Sequence, residues 1–316
     1  MTSINTVMPR TRTWAIGLLL AASVLPVGTA VAEEHPFILW TRQEAAATRR
    51  KIEREPWPKK AYAALDAPRK RRGELELLFR YGVMGDKDAG LAEKKALLDS
   101  VSGGKAQGKY IAPLRYDVLY DLLTPQERTT VERAFRAYIE MGMRSMRERD
   151  YNRFNWLPNL GYPWYLSAHL MAVSMRDKEL AREVFESPFG LKWYLDEYLS
   201  DQGFYNEEFG KMYNTPDAIL LWGRACERLG IDEIGFGYRG RQGATIRGHI
   251  ESVLRIGMPR VDLGTSRPHY PRLSIGDAKG PRGVPAYGFQ HYLVAGHLEH
   301  RYAGREYSKW SLGEWS

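Results

Sequence analysis

The feature of this sequence that most constrains its fold is a helical periodicity. It recurs in almost every segment between the helix-breaking glycine, proline and asparagine residues. Apolar residues return every three to four positions over helix-like lengths, and alternating, strand-like runs are scarce. Two capping boxes, Thr41-Arg-Gln-Glu44 and Thr124-Pro-Gln-Glu127, mark helix starts, the second with proline at the first helical position. The pattern therefore predicts an all-α chain.

These helix-breaking residues divide the chain into about a dozen predicted helices. Besides the helix that opens after Thr41, they are expected at 59–67, 73–81, 86–101, 113–123, 125–149, 161–175, 177–187, 190–200, 216–229, 242–257 and 285–303. Helices joined by short turns must bury their apolar stripes on one another, as an open solenoid or as a closed ring of helical hairpins. No fixed-period repeat favours the solenoid, and no linker-like stretch divides the chain, so we expect a single domain.

Residues 1–32 have the layout of a signal peptide. Two arginines precede the apolar run 14–27, and Ala30-Val31-Ala32 supplies small residues for cleavage. The apolar run is shorter than the roughly 20 residues that a bilayer-spanning helix needs, although an uncleaved anchor is the alternative. We therefore expect the mature chain, 33–316, to be periplasmic or secreted, with no stable membrane insertion after cleavage.

The charge of the chain indicates which partners it attracts, and its cysteine count limits disulfide formation. The chain has a net charge of +8, and it remains basic without the predicted signal peptide, which holds two arginines and no acidic residue. Basic surfaces attract polyanions, which outside the cytoplasm are mostly acidic glycans rather than nucleic acid. The single cysteine, Cys226, cannot form an intramolecular disulfide and is expected to be a small buried residue.

Three long non-helical stretches, 150–160, 201–215 and 258–284, concentrate aromatic, amide and charged residues. Long loops are uncommon in compact domains unless they have a function. The richest runs from Asp201 to Tyr213, where tyrosines, carboxylates and a lysine interrupt the helical pattern. We expect the three stretches to form the walls of one cleft; independent surface loops are the alternative.

Five features in this order carry a family resemblance. They are His35-Pro-Phe-Ile-Leu-Trp-Thr-Arg-Gln-Glu44, Leu119-Tyr-Asp-Leu-Leu-Thr-Pro-Gln-Glu-Arg128, the pair Asn155-Trp156, the run from Asp201 to Tyr213, and Pro271-Arg-Leu-Ser-Ile-Gly-Asp277. Together they resemble the heparinase II/III-like and alginate-lyase-like polysaccharide lyases over most of the mature chain. The resemblance implies an (α/α) toroid, an incomplete barrel of helical hairpins with the active site in its loops.

Two departures from the family pattern affect what the resemblance implies. Many such lyases have histidine directly after the neutralising asparagine, whereas this chain has Trp156, so the base is expected elsewhere. Many also continue into a C-terminal β-sandwich, whereas this sequence stops at Ser316. We therefore expect either a toroid-only enzyme or a fragment.

The chemistry implied by the resemblance is β-elimination from a uronic acid. This reaction must neutralise the C6 carboxylate, remove the C5 proton and protonate the departing O4. Asn155 matches the neutralising residue and Tyr213 the catalytic tyrosine, with Tyr205 as the runner-up and His269 as the candidate histidine base. The plainer alternatives are a helix cap for Asn155 and core packing for the tyrosines.

Further side chains are candidates for substrate binding. Asn159 is a second carboxamide, Trp156 could stack on a sugar ring, and Glu207 could bind hydroxyls or orient a proton-transfer group. Lys211, Arg267 and Arg272 could bind substrate carboxylates, the arginines in bidentate fashion.

The histidines of this sequence do not indicate a metal site. His169 lies in an apolar helical run and is expected in the core or at the floor of the cleft. His297 and His300 are one helical turn apart, but no neighbouring pair of carboxylates completes a metal site. We expect no catalytic metal and no other cofactor.

The sequence therefore favours a lyase that cleaves an alginate-like or glucuronate-containing polysaccharide. One alternative is a glycoside hydrolase on a similar toroid, which needs two carboxylates across the scissile bond. Asp201, Glu207, Glu208 and Asp277 keep that alternative open. The other is a non-catalytic protein that binds acidic glycans.

Overall fold

The computed structural model describes residues 34–63, 65, 74–103, 110–148, 162–204 and 216–255. Its α-helices there are α1 Arg42–Arg54, α2 Pro56–Ala63, α3 Glu74–Gly82, α4 Lys87–Ser102, α5 Ile111–Leu119, α6 Pro125–Arg147, α7 Tyr162–Ser174, α8 Lys178–Glu186, α9 Leu191–Trp193, α10 Pro216–Leu229 and α11 Ile246–Arg255. Short 3-10 turns lie at Tyr120–Leu122 and Asp232–Ile234. The all-α prediction is confirmed over these ranges. None of the helices described is long and apolar enough to cross a membrane.

The helix starts follow the capping signals in the sequence. At the start of α1, the Thr41 hydroxyl accepts a hydrogen bond from the Glu44 amide at 3.1 Å, and the Glu44 carboxylate accepts one from the Thr41 amide at 2.7 Å. Thr124 and Glu127 form the same reciprocal pair at the start of α6. Both predicted capping boxes are therefore confirmed, and local chemistry sets these boundaries.

Two predicted helices differ most from those observed, and the helix expected over 285–303 lies outside the described residues. The helix expected over 190–200 is α-helical only to Trp193 and continues as a π-helical turn, Tyr194–Tyr198. A neighbouring loop seats tightly on that turn, since a Cβ on Gly240 would lie 2.1 Å from the Leu195 carbonyl oxygen. The helix expected over 242–257 begins only at Ile246, because Gly243 has φ of 92°, outside the helical region.

The core contains a row of helices on which other helices pack. The row runs α3, α5, α7, α10, each helix packed on the next, while α4 packs on α3 and α5, and α6 and α8 pack on α7. Helix α7 contacts α5, α6, α8 and α10, and its residues 166–174 are all buried. A helix surrounded in this way must be apolar on every side, as the sequence of α7 is.

An apolar segment before α1 lies against this row. Phe37, Ile38, Leu39 and Trp40 are each at most 2% exposed. Asp117, in the last turn of α5, accepts hydrogen bonds from the backbone amides of Phe37 and Ile38. The end of α3 also packs here, since a Cβ on Gly82 would lie 2.7 Å from the Trp40 ring.

The other two row helices meet the segment with arginines. Arg228, in the last turn of α10, donates a hydrogen bond to the Phe37 carbonyl oxygen and binds both carboxylate oxygens of Glu44 at 2.8 Å. The guanidinium of Arg176, just after α7, lies 5.9 Å from the centre of the Phe37 ring. The segment 35–40 thus crosses the C-terminal ends of all four row helices.

This shared contact fixes the direction of the row. Since α3, α5, α7 and α10 end at the same segment, they run parallel to one another. Their N-terminal ends lie together on the opposite side, roughly 14–21 Å away at 1.5 Å per residue. We call this side, marked by Glu74, Ile111, Tyr162 and Pro216, the N-terminal face of the row.

Candidate functional site

The site residues predicted from the sequence lie outside the part of the chain that the structure describes. They are Asn155, Trp156, Asn159, Tyr205, Glu207, Lys211, Tyr213, Arg267, His269 and Arg272. Glu208 and Asp277, the further carboxylates of the hydrolase alternative, lie outside it as well. The described helices and turns that flank these segments are the frame on which such a site would be built.

The first part of that frame is the N-terminal face. The sequence segments 149–161 and 205–215 lead directly into Tyr162 and Pro216, the first residues of α7 and α10. These two helices are neighbours and parallel, so the ends at which both segments join them lie on one side of the row. Helix N-termini carry partial positive charge and unsatisfied amide donors, which suit anions.

The second part is a tight turn at the start of the Asp201–Tyr213 run. The Ser200 amide donates to the Phe204 carbonyl oxygen at 3.0 Å, and the Gly203 amide donates to the Ser200 carbonyl oxygen at 2.9 Å. Gly203 has φ of 79°, and a Cβ there would lie 2.3 Å from the backbone of Gly248 in α11. Only glycine fits both constraints, and this explains the glycine of the Asp-Gln-Gly sequence.

Two side chains of α11 hold this turn in place. The Gly203 carbonyl oxygen accepts hydrogen bonds from His249 Nδ1 and from the Ser252 hydroxyl, each at 2.9 Å. A carbonyl oxygen can only accept, so the proton of the imidazole is on Nδ1 and Nε2 is left as an acceptor. The segment that bears the predicted tyrosines therefore starts from a point fixed to α11.

His249 is held neutral by its surroundings. The side chain is fully buried, with the ring edge of Tyr194 at 5.8 Å between centroids. Burial lowers the pKa of His249 to about 4, although the hydrogen bond to Gly203 opposes that change. Sequence reasoning missed this residue. In the sequence, His249 stands out only because it shares a helical face with the apolar Ile246 and Ile250. Many histidines in protein cores have the same pattern.

A polar cluster surrounds the π-helical turn. The Asp196 carboxylate, 3% exposed, accepts hydrogen bonds from Lys192 Nζ at 2.7 Å, the Tyr238 hydroxyl at 2.8 Å and the Arg241 amide at 3.1 Å. Burial opposes ionisation of Asp196, but the bonds from Lys192 and Tyr238 outweigh it and hold the pKa below its ordinary value. Sequence reasoning did not single out this cluster, because Arg241 lies 45 residues after Asp196.

Acid-base roles do not suit the partners of Asp196. The hydrogen bond to Asp196 raises the pKa of Lys192, and burial together with the same carboxylate raises the pKa of Tyr238. At neutral pH both groups therefore keep their protons. The cluster therefore joins the π-helical turn to the loop before α11 and is not suited to proton transfer.

Two predictions about single residues are confirmed. His169 is a core residue whose Nε2 accepts a hydrogen bond from the Leu191 amide at 3.0 Å, with Trp222 packed edge-on at 5.4 Å. Cys226 is fully buried, and burial raises the pKa of its thiol, so it is not a reactive nucleophile. Over the described ranges, no three histidine, cysteine or acidic side chains group closely enough to hold a metal ion.

Comparison of the chain with protein-family models and with curated proteins finds no match.

Proposed function

We propose that this protein is a periplasmic or secreted polysaccharide lyase that cleaves a uronic-acid polymer by β-elimination, on an (α/α) toroid. The observation that carries the proposal is the parallel row of helices. It brings the helix starts that follow the asparagine segment and the tyrosine segment to one face. From α3 to α8 the chain also alternates between row helices and helices packed on the row, as a ring of helical hairpins requires.

Chain length supports a common location for Asn159 and Tyr213, whereas Asn155 lies seven residues before α7. Asn159 and Tyr213 each precede the start of a row helix, α7 or α10, by three residues. Three residues span at most about 11 Å, even when fully extended. The proposal places both residues near the N-terminal face, where α7 and α10 are packed neighbours.

The electrostatics of that face suit an acidic substrate. The parallel row directs the partial positive charges of its helix ends to the same side, whereas antiparallel neighbours would alternate them. The chain is also basic overall, which attracts a polyanion over longer distances. A uronate polymer carries one carboxylate on each acidic sugar, so both features favour its approach.

In the proposed reaction, the Asn155 carboxamide hydrogen-bonds the C6 carboxylate and stabilises the enolate-like charge that develops there. A base removes the C5 proton, the electron pair of the C5–H bond forms the C4–C5 double bond, and the C4–O4 bond breaks. The leaving oxygen receives a proton. Tyr213 is the proposed proton-transfer residue, with Tyr205 and His269 as the other candidates.

The direct test is an ultraviolet assay of the mature protein on alginate, polymannuronate, polyguluronate and glucuronate-containing polymers. Elimination creates a conjugated C4–C5 double bond that absorbs in the ultraviolet, and each cleavage also creates a new reducing end. New reducing ends without absorbance would instead identify a glycoside hydrolase. Binding without either product would identify a glycan-binding protein.

Variants test the assigned roles. Tyr213→Phe should lower kcat by roughly 10²–10⁴-fold with polymer binding retained. The control is Tyr120→Phe, since Tyr120 follows α5 at the opposite end of the row and its ring stacks on His35 at 4.0 Å. Near-normal turnover of Tyr213→Phe would remove that residue from the mechanism.

Asn155→Ala separates catalysis from helix capping. A carboxylate-neutralising asparagine should cost roughly 10²–10³-fold in kcat with a smaller change in KM. The control is Thr124→Ala, because Thr124 is an established cap whose loss costs about 1 kcal/mol of stability without touching a substrate. If Asn155→Ala behaves like Thr124→Ala, with lower stability and normal turnover, the catalytic assignment is wrong.

A further inference from the structure

A surface cleft of about 190 Å³ lies beside the π-helical turn, and its lining includes none of the residues proposed for elimination. Its lining comes from the end of α8, the turn that follows, α9 with the π-helical turn, and the loop before α11. The lining residues are Glu186, Ser187, Pro188, Phe189, Lys192, Trp193, Asp196, Glu197 and Arg241.

Two aromatic residues of the lining, Phe189 and Trp193, pack on each other. The rings of Phe189 and Trp193 pack edge to face with centroids 5.0 Å apart, and Trp193 also contacts Tyr198 at 5.7 Å. Phe189 has φ of 61°, a left-handed conformation that costs a non-glycine residue roughly 1–2 kcal/mol. Backbone strain of this kind is concentrated at ligand sites.

The lining also presents charged groups in pairs. Lys192 is held by the buried Asp196 carboxylate at 2.7 Å, and Arg241 binds Glu197 at 2.8 Å. The exposed fractions of the Lys192, Glu197 and Arg241 side chains are 36%, 42% and 72%. Ammonium and guanidinium groups donate and carboxylates accept, so adjacent pairs match vicinal hydroxyl groups, which do both.

The charge of the lining selects against an acidic ligand. Glu186, Asp196 and Glu197 supply three negative charges, against two positive charges from Lys192 and Arg241. The cleft is also smaller than the roughly 300–1,000 Å³ of typical small-molecule pockets. Size and charge together suit one small, uncharged, hydroxyl-rich ring.

We propose that this cleft binds a single neutral pyranose, with its apolar face on Trp193 and its hydroxyl groups on the Lys192 and Glu197–Arg241 side. The site is therefore an accessory glycan-binding site whose preference is opposite to that of the polyuronate site. It would engage neutral sugars of a mixed polysaccharide, and it does not depend on the elimination chemistry.

Ligand-detected saturation-transfer NMR on the full-length mature protein tests the site. The probes are the methyl pyranosides of glucose, mannose and galactose at millimolar concentration, with methyl glucuronoside as the acidic counterpart. At least one neutral pyranoside should receive saturation, with the strongest transfer to the protons of its apolar face. Methyl glucuronoside should bind about tenfold more weakly or not at all.

Two variants assign the binding to the cleft. Glu197→Gln combined with Arg241→Gln should weaken neutral pyranoside binding about tenfold, since it replaces charge-assisted hydrogen bonds with neutral ones. The matched control is Glu140→Gln with Arg144→Gln, an exposed pair on α6 with a similar contact of 2.6 Å. Trp193→Leu should abolish binding, with thermal unfolding used to verify that it is folded.

The proposal is overturned if no neutral pyranoside receives saturation from the unmodified protein. It is also overturned if the cleft pair and the α6 pair have equal effects, or if methyl glucuronoside binds best. The ultraviolet elimination assay is independent of these outcomes, so failure of the cleft proposal leaves the lyase proposal standing, and the reverse.

Discussion

Replacing one buried carboxylate, Asp117→Asn, should strongly destabilise the fold. Asp117 is fully buried and accepts hydrogen bonds from the Phe37 amide at 3.0 Å, the Ile38 amide at 2.8 Å and His35 Nδ1 at 2.8 Å. Asparagine keeps the volume of the side chain, so no cavity forms. The change therefore isolates the loss of charge and of one acceptor oxygen.

The magnitude follows from those contacts. A carboxamide offers one acceptor oxygen where the carboxylate has two, so with that oxygen on the Phe37 and Ile38 amides its NH₂ group faces His35 Nδ1. The imidazole must then move its proton to Nε2 or leave two donors facing each other, at about 1–3 kcal/mol. The remaining bonds change from charge-assisted to neutral, at roughly 1 kcal/mol each. We expect a total loss of about 3–5 kcal/mol, equivalent to a fall in Tm of roughly 6–20 °C for a domain of this size.

Urea unfolding of Asp117→Asn, followed by circular dichroism, measures this loss. The matched control is Asp121→Asn, four residues later in sequence. Its carboxylate is 56% exposed and pairs with Arg42, which is 54% exposed. Exposed pairs contribute about 0–1 kcal/mol, so the control should be nearly neutral. If the two variants lose the same amount of stability, the Asp117 hydrogen bonds are not what secures the segment 35–40.

Three further predictions follow from other contacts. In thermal unfolding, Gly203→Ala should lose at least about 2 kcal/mol more stability than Gly230→Ala. Both glycines have positive φ, but only at Gly203 would the added Cβ meet another backbone, at 2.3 Å. Equal losses would contradict this. The pKa of His249 is lowered to about 4 in the folded protein. Between about pH 6.5 and pH 4, the unfolded chain therefore takes up a proton that the folded protein does not. About 3 kcal/mol of the stability present at pH 7 should be lost as the pH falls through this interval. His249→Asn should flatten that slope in unfolding measured across the interval, and an unchanged slope would assign it to other groups. Arg228→Lys should cost about 2 kcal/mol in urea unfolding, since a lysine has a single nitrogen where two guanidinium nitrogens bind the Phe37 carbonyl oxygen and the Glu44 carboxylate separately. A loss below about 0.5 kcal/mol would refute this.

Local signals in the sequence were sufficient for most of the helices. The capping boxes at Thr41 and Thr124 determine where α1 and α6 begin, and both depend on residues three positions apart. The π-helical turn Tyr194–Tyr198 was not predictable in this way, because the loop that packs on it, at Gly240, is far away in sequence. Local chemistry is visible in a sequence, whereas tertiary packing is not.

The same distinction applies to the sites. The opening run from His35 was notable only for its resemblance to a family, yet in the structure it crosses the ends of four helices. Asp117 sits in an apolar helical stretch, and nothing near it in sequence names partners 79–82 residues away. His249 and the Asp196 cluster escaped notice for the same reason. The predicted elimination residues lie outside the described ranges and stay predictions.

The contacts of the segment 35–40 impose an order in time on a chain made from its N-terminus. Phe37 precedes its partner Asp117 by 80 residues and its partner Arg228 by 191. At about 5–20 residues per second, the first partner is synthesised roughly 4–16 s later and the second roughly 10–40 s later. During that interval the run Phe37-Ile-Leu-Trp40 lacks the groups that bury it. It is therefore available to chaperones that bind apolar sequences, and a chain shortened before Arg228 would never complete its burial.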